Sequence, residues 1–209
     1  MRRRLYIIGT GGLAREMAMV AEQVNAREHR WEFAGFIGSG SAVVGKDLGL
    51  GIIVGNDRWL LEQDQEADLV IAIGRPNVRA AVLAEYVQQA DRFQFPNLIH
   101  PDATLDFRRI DFGQGNVVSA GCRFTCDIEV RDFNLFGANA TVSHDAVIGS
   151  YNVVSPGVNI SGGVQIGDRV LLGPGSQIMG YVSIGDQVMI DPGLVVRHDV
   201  LAPEDVFLG

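Results

Sequence analysis

The sequence predicts a chain in two parts: a small parallel α/β unit over residues 1–95, then an all-β, three-sided parallel β-helix over 96–209. Three observations carry this. Apolar residues at helical spacing occur only in the first part, where they alternate with strand-like runs. From Phe112 onward an apolar residue recurs every six positions. Charge also divides unevenly, with 11 basic and 12 acidic groups up to residue 95 but 6 and 13 after it.

In the first part, Leu5-Tyr-Ile-Ile-Gly9 reads as a buried strand. A turn follows, and Leu13 to about Val24 has helical spacing. Phe33-Ala-Gly-Phe-Ile37 reads as a second strand, Ile52-Ile-Val54 as a short third and Asp68 to Ile73 as a fourth. Pro76 suits the first turn of a helix reaching about Gln88, because the N–H it lacks has no partner at that position anyway. Strands alternating with helices imply parallel pairing through crossovers.

The second part follows a different rule. Stepping by six from Phe112 gives Val118, Phe124, Val130, Phe136, Val142, Ile148, Val154, Ile160, Ile166, Leu172, Ile178, Ile184, Ile190 and Val196. In a chain that is 47% apolar, such a run in one register has a chance of about one in 10⁵. A helix turns every 3.6 residues and cannot hold a six-residue stripe on one side; a strand alternates every two, and two divides six. Short strands broken by a turn every six residues satisfy both facts, and three of them close a coil of 18. Stacked coils then pair their backbones at about 4.8 Å around an apolar axis. The residue after each step is often small (Gly113, Ser119, Gly137, Ser143, Gly149), and two before it stand residues such as Cys122, Asn134, Ala140, Ala146 and Asn152. The period does not set the hand of the coil.

Composition narrows the function. The net charge is −8, the only lysine is Lys46, and there is no basic run. We therefore expect no nucleic-acid partner and no anionic membrane partner. No stretch approaches the roughly 18 apolar residues of a membrane span. The run Leu5–Ile8 is too short for a signal-peptide core. Two cysteines, Cys122 and Cys126, do not make a disulfide framework. The expectation is a cytoplasmic protein with reduced thiols.

A set of short segments adds a resemblance. They are Tyr6-Ile-Ile-Gly-Thr-Gly-Gly12, Gly35-Phe-Ile37, Ile71-Ala-Ile-Gly74 with Arg79, Ile99-His-Pro101, Ser143-His-Asp145 with Ile148-Gly149, and Ser155-Pro-Gly157. The hexapeptides Val147-Ile-Gly149, Val164-Gln-Ile-Gly167 and Val182-Ser-Ile-Gly185 accompany them. In this order they resemble the NeuD/PglD-like sugar acyltransferases, the sialic acid O-acetyltransferase and bacillosamine N-acetyltransferase type. The resemblance implies an N-terminal Rossmann-like domain followed by a left-handed parallel β-helix built of hexapeptide repeats. It implies a homotrimer with active sites between adjacent β-helices. It also implies transfer of an acetyl group from acetyl-CoA to oxygen or nitrogen of a nucleotide-linked sugar.

Of four histidines, His29 reads as a solvated residue near a helix end, His100 as structural at the domain junction and His198 as surface. His144 sits two past the inward position Val142, near a corner, and is followed by Asp145. On residues alone it is a surface histidine. The resemblance makes it the general base and gives Asp145 the role of raising its basicity. Neighbouring strand residues point to opposite faces, so contact between the two requires a corner conformation. A neutral imidazole could take a proton from the acceptor near pH 7 as it attacks the thioester, with backbone amides holding the oxyanion. Cys122 reads as a core thiol; Cys126, 18 residues before His144, falls one coil away. Zinc on such a fold needs three histidines. His144 and His198 are 54 residues apart, hence roughly 14 Å along the stack, so no metal is expected.

The turn Gly9-Thr-Gly-Gly-Leu-Ala14 would offer backbone amides and a helix N-terminus to phosphate. A redox dinucleotide would want an acid at the end of the second strand, where Gly38-Ser39 stand. By the resemblance, Gly11, Gly12, Leu13, Gly38, Ser39 and Gly74 hold the nucleotide-linked sugar. Leu13 stands where relatives that bind UDP-amino sugars have His, and Gly38-Ser39 where they have paired Asp. Gly137 stands where they have Asn, leaving Asn139 as the nearest amide. The CoA contacts map onto Val153, Pro174 and Pro192. The two prolines can offer only carbonyls or packing, and corner turns account for them equally well. Arg169 and Arg197 are candidates for CoA phosphates, with solvation the plainer reading. Two other functions stay open: a non-catalytic β-helix scaffold or ligand-binding protein, and an acyltransferase of the same family acting on a free sugar.

Overall fold

A computed structural model of the chain describes residues 2–40, 43–89 and 91–202. They fall into two compact units. The first holds the residues up to Gly74 together with Val78–His100; the second holds Arg75–Asn77 and the chain from Pro101 onward.

The first unit runs β1 (Arg3–Ile8), α1 (Gly12–Glu28), β2 (Trp31–Gly38), β3 (Ile53–Asn56), α2 (Asp57–Glu62), β4 (Ala67–Ile71), α3 (Pro76–Val87), β5 (Phe93–Gln94) and β6 (Leu98–Ile99). The strands order as β3-β2-β1-β4-β5, and every pairing is parallel. β1 and β4 are buried on both faces, which is why they read as unbroken apolar runs. α1 buries Ala14, Met17, Ala18, Val20, Ala21 and Val24. It extends a turn past Val24 and stops at His29, in the left-handed conformation (φ 51), whose N–H donates to the Asn25 carbonyl. At Gly9 (φ 129) the chain passes the end of β4 so closely that a Cβ would meet the Ala72 oxygen at 2.8 Å.

Two elements were not read from the sequence. α2 is too short to show a period; it is capped by Asn56, whose side chain accepts from the Trp59 N–H. β5 is a two-residue strand. The unit also continues beyond residue 95, because Phe95 and Leu98 are buried and β6 packs on α1.

The second unit is a three-faced coil. One face stacks β7 (Ile110–Phe112), β10 (Ile128–Val130), β13 (Val147–Ile148), β16 (Gln165–Ile166) and β19 (Ser183–Ile184). A second stacks β8 (Val117–Val118), β11 (Leu135–Phe136), β14 (Val153–Val154), β17 (Leu171–Leu172) and β20 (Met189–Ile190). The third stacks β9 (Arg123–Phe124), β12 (Thr141–Val142), β15 (Asn159–Ile160), β18 (Gln177–Ile178) and β21 (Val195–Val196). Pairing is parallel with a constant offset of 18 residues, as in Phe124↔Val142 and Val142↔Ile160. The six-step stripe fills the axis: Val118 through Val196 are buried at every step. Phe112, Phe124 and Phe136 pack edge to face near its start, with centroids 5.9 and 5.0 Å apart.

Each corner is a left-handed residue, repeated coil after coil. Asp127, Asp145, Gly163 and Tyr181 form one column, with φ between 57 and 70. Gly115, Phe133, Tyr151, Arg169 and Gln187 form another, and Gly121, Asn139, Gly157, Gly175 and Gly193 a third. The small residues after the stripe have a steric cause: at Gly149 a Cβ would lie 2.5 Å from the Gly167 oxygen of the next coil. Buried Asn116, Asn134 and Asn152 make a ladder up one edge of the coil. The Asn116 side-chain oxygen accepts from Asn134 N–H, that of Asn134 from Asn152 N–H and that of Asn152 from Val170 N–H, at 2.7–2.8 Å. The chain is thus an α/β Rossmann-like domain followed in sequence by a left-handed parallel β-helix. Among the described residues no helix is long and apolar enough to cross a membrane.

Candidate active site

His144 stands on the turn between β12 and β13. The next residue, Asp145, adopts φ 60, the corner conformation that contact between the two requires. That backbone swings the carboxylate beside the ring, and His144 Nδ1 lies 2.8 Å from Asp145 Oδ2. A carboxylate can only accept, so Nδ1 carries the hydrogen, and in the neutral ring that leaves the lone pair on Nε2. Both side chains are more than half exposed. The ring is exposed, with Nδ1 on the carboxylate and Nε2 beside Gly162 of the next coil.

The coils before and after shape this corner. Gly163 donates its N–H to the His144 carbonyl at 2.9 Å. Gly162 lies against the imidazole: a Cβ there would be 2.5 Å from Cε1 and 2.8 Å from Nε2. Gly162→Ala is therefore expected to push the ring from its place and cut turnover roughly tenfold or more, with thermal stability little changed. Steady-state kinetics beside a melting curve check this. In the coil before, Cys126 and Asp127 stack beneath, and Asp145 N–H reaches toward the Cys126 carbonyl at 3.4 Å. Cys122 is a core thiol as expected: it is fully buried, burial pushes it up to about 11, and its Sγ contacts the Gly137 carbonyl at 3.1 Å.

The first unit carries a cleft of about 340 Å³ lined by Thr10, Gly11, Gly12, Arg15, Lys46, Asp47 and Leu48. Gly11 caps α1 with no side-chain hydrogen bond, and no acid stands in the first turn of the helix. Of the residues assigned to the sugar nucleotide, Gly11 and Gly12 line it; Leu13, Gly38, Ser39 and Gly74 do not. Leu13 packs by Gly74, where its Cδ2 would touch a Cβ at 3.9 Å. Gly38 is buried at the end of β2, and Ser39 is exposed after it. Arg15, Lys46 and Asp47 were missed. The last two ride on an arm formed by Lys46–Ile53 pairing and an Asp47–Ile52 bridge, a loop with no periodic signal.

On the β-helix, Asn139 occupies the corner at the other end of β12 from Asp145. Gly137 has no room for the amide it replaces, since a Cβ would lie 2.6 Å from Pro156 N. Val153 is buried in β14, between Leu135 and Leu171. Pro174 and Pro192 are exposed corner residues, each followed by a glycine of φ 70 or 72, as a type II turn requires. The Pro174 carbonyl is taken by Gly193 N–H at 2.9 Å. Arg169 is itself a left-handed corner, and Arg197 is exposed. Among the described residues no group of three or more His, Cys, Asp or Glu could hold a metal ion.

Comparison with known proteins joins the two halves. Residues 4–86 match the PglD N-terminal domain family, and residues 163–198 match the bacterial transferase hexapeptide (six repeats) family. The acetyltransferase domain of PglB from Neisseria gonorrhoeae superposes with a TM-score of 0.85 at 26% identity, covering 97% of this chain and 95% of that one. The chain joins a PglD-type N-terminal domain to bacterial transferase hexapeptide repeats, as in the NeuD/PglD-like acyltransferases it resembles over almost its whole length. A second neighbour of this acyltransferase is PerB from Caulobacter crescentus in complex with CoA and GDP-perosamine: TM-score 0.82, 28% identity, 94% and 89% coverage. Variants of the Caulobacter perosamine N-acetyltransferase with one histidine changed to Asn or Ala also match, at 27% and 26% identity. WeeI from Acinetobacter baumannii shares the fold at 20% identity and a TM-score of 0.81, over 95% and 93% of the two chains. No curated protein matches the sequence.

Proposed function

We propose that this acyltransferase moves the acetyl group of acetyl-CoA directly to the amine of a nucleotide-linked amino sugar, with His144 as general base. The observation that carries the reading is the His144–Asp145 pair, 2.8 Å apart on an open corner with Nε2 beside Gly162. The complexes of the neighbours support the substrate class: the Neisseria domain binds acetyl coenzyme A, and PerB binds CoA and GDP-perosamine.

The amine nitrogen attacks the thioester carbonyl carbon, and the carbonyl π electrons pass to oxygen. Nε2 takes the proton that the nitrogen sheds, while Asp145 balances the imidazolium through Nδ1–H. The tetrahedral species collapses by breaking its C–S bond. The CoA sulfur leaves with the electron pair and receives the proton back from Nε2, giving amide and CoA thiol. No acyl-enzyme forms, and the core thiol of Cys122 takes no part.

Asp145→Asn keeps the shape of the pair and removes the charge. A charge-assisted hydrogen bond at an exposed site stabilises the imidazolium by about 1.4 kcal/mol, so kcat is expected to fall roughly tenfold. A stopped assay of thiol release reads this.

We infer that the working form is a homotrimer. Met179, Tyr181 and Met189 are 45%, 80% and 58% exposed on the single chain, apolar surface that a neighbouring copy would cover. Acetyl-CoA and nucleotide sugars share the cytoplasm, where we place the reaction.

The test is CoA release from acetyl-CoA in a panel of nucleotide amino sugars, nucleotide sugars without an amine and free amino sugars. Turnover confined to nucleotide amino sugars supports the reading. Turnover with free sugars alone would replace the acceptor. A protein that neither turns over nor binds acetyl-CoA in calorimetry would be a scaffold.

A further inference from the structure

The corner column beneath the histidine holds a pair of groups that the acetyl transfer does not use. Asp127 and Asp145 occupy the same left-handed position in successive coils, with φ 57 and 60. Stacking at strand spacing sets the backbones of these two acids about 5 Å apart, with the imidazole 2.8 Å from the Asp145 carboxylate. Left alone they would repel. Arg109, one further coil down the column, closes on Asp127: its Nε and Nη2 reach Oδ1 at 3.0 and 2.8 Å, and Nη2 reaches Oδ2 at 2.6 Å. The backbone joins the same two residues, Asp127 N–H donating to the Arg109 carbonyl at 2.7 Å.

We propose that Arg109 and Asp127 are positioning residues that leave Asp145 as the one uncompensated charge beside His144, and so set the pH range over which the imidazole can act as a base. This rests on the general-base reading of His144, which it deepens.

The charges around the ring are few. On its own turn stands Asp145. The coil before contributes Asp127, neutralised by Arg109, and the thiol of Cys126, which shares a hydrogen bond with the Asp127 carboxylate. The Arg109 guanidinium keeps Asp127 below the usual carboxylate range, and Asp127 in turn feels the charge of His144. Partial desolvation and the Asp127 carboxylate push the Cys126 thiol up, so it stays protonated at neutral pH. The coil after contributes Ser161, Gly162 and Gly163, which carry no charge. Tyr181 packs against Gly163 one coil further on.

The sign follows from Coulomb's law. Arg109→Gln releases the negative charge of Asp127 toward the ring and favours imidazolium. Asp127→Asn leaves the Arg109 cation and favours the neutral ring. Two half-exposed charges a few ångströms apart interact by under 1 kcal/mol in water, which corresponds to shifts of about half a pH unit in dilute buffer.

The experiment is a ring-carbon NMR titration of the whole protein labelled with ¹³C-histidine, with the His144 signal identified by its loss in His144→Ala. Arg109→Gln is expected to move its midpoint up by about half a unit, and Asp127→Asn down by a similar amount. Arg109→Lys, which keeps the charge, and the double variant R109Q/D127N should both stay close to the parent. The acid limb of kcat/KM on the best acceptor from the substrate panel should move with the midpoint. High salt should shrink every shift. Midpoints that do not move, or that move the same way in both single variants, overturn the proposal. It fails on its own if His144→Ala abolishes turnover while these midpoints stay fixed. It falls together with the general-base reading only if His144→Ala stays active.

Discussion

Replacing His144 by alanine is expected to lower acetyl transfer by roughly 10²- to 10⁴-fold, the range for a positioned general base, while the protein stays folded. The loss should be selective because of where the ring sits. Its side chain is 55% exposed, and its one side-chain bond, to Asp145, lies at the surface, where such pairs add about 1 kcal/mol or less to stability. The backbone bond from Gly163 N–H to the residue-144 carbonyl survives any substitution. Melting temperature and the KM for acetyl-CoA should therefore hold while kcat falls. His144→Gln should fall as far, since an amide cannot take the proton. Thiol-release kinetics at saturating donor decide it: turnover within about threefold of the parent would remove His144 from the chemistry.

The second large effect concerns stability. Asn134→Ala should cost about 3 kcal/mol, which for a chain of this size lowers the melting temperature by roughly 10 °C. Asn134 is fully buried, and its side-chain oxygen is the acceptor for Asn152 N–H. Its Nδ2 donates to the Arg131 carbonyl at 3.1 Å. Truncation strands a buried N–H in the next coil, takes one of two donors from that carbonyl (Asn116 Nδ2 also donates to it, at 2.9 Å) and leaves a small void. Leucine should do no better, because it restores volume without the acceptor. Glu129→Gln, on an exposed strand position, should leave the transition where it was. Calorimetry of the three variants makes the comparison; equal melting temperatures would mean the ladder contributes nothing.

The stripe from Phe112 to Val196 was legible because a strand alternation and a six-residue turn leave one arithmetic trace, and burial of the axis enforces it at each step from Val118 onward. The corners were not legible. Their left-handed residues include Phe133, Tyr151 and Tyr181, types that rarely take positive φ; stacking compensates, as between the Phe133 and Tyr151 rings 5.6 Å apart. Asn134 and Asn152 could be placed inward by position, but a ladder of side-chain acceptors shows only once the 18-residue offset is fixed in space. The same offset points to Asp127 and Arg109, at 18 and 36 residues before Asp145. In the α/β unit, the long buried strands were readable from their apolar runs. The Lys46–Asp47 arm over the cleft was not, since its form comes from backbone bonds to Ile52 and Ile53 rather than from any pattern of side chains.

The constant offset of the coils makes the domain a molecular screw with three notches per thread. Excising a whole thread beyond the histidine returns every later notch to its former bearing and merely shortens the shaft. Excising a single hexapeptide advances everything downstream by a third of a revolution, so that residues once aligned above the imidazole now crown a different edge. Lineages with this architecture can thus trade length in units of 18 at little risk to their chemistry, whereas smaller indels before the catalytic edge re-aim it.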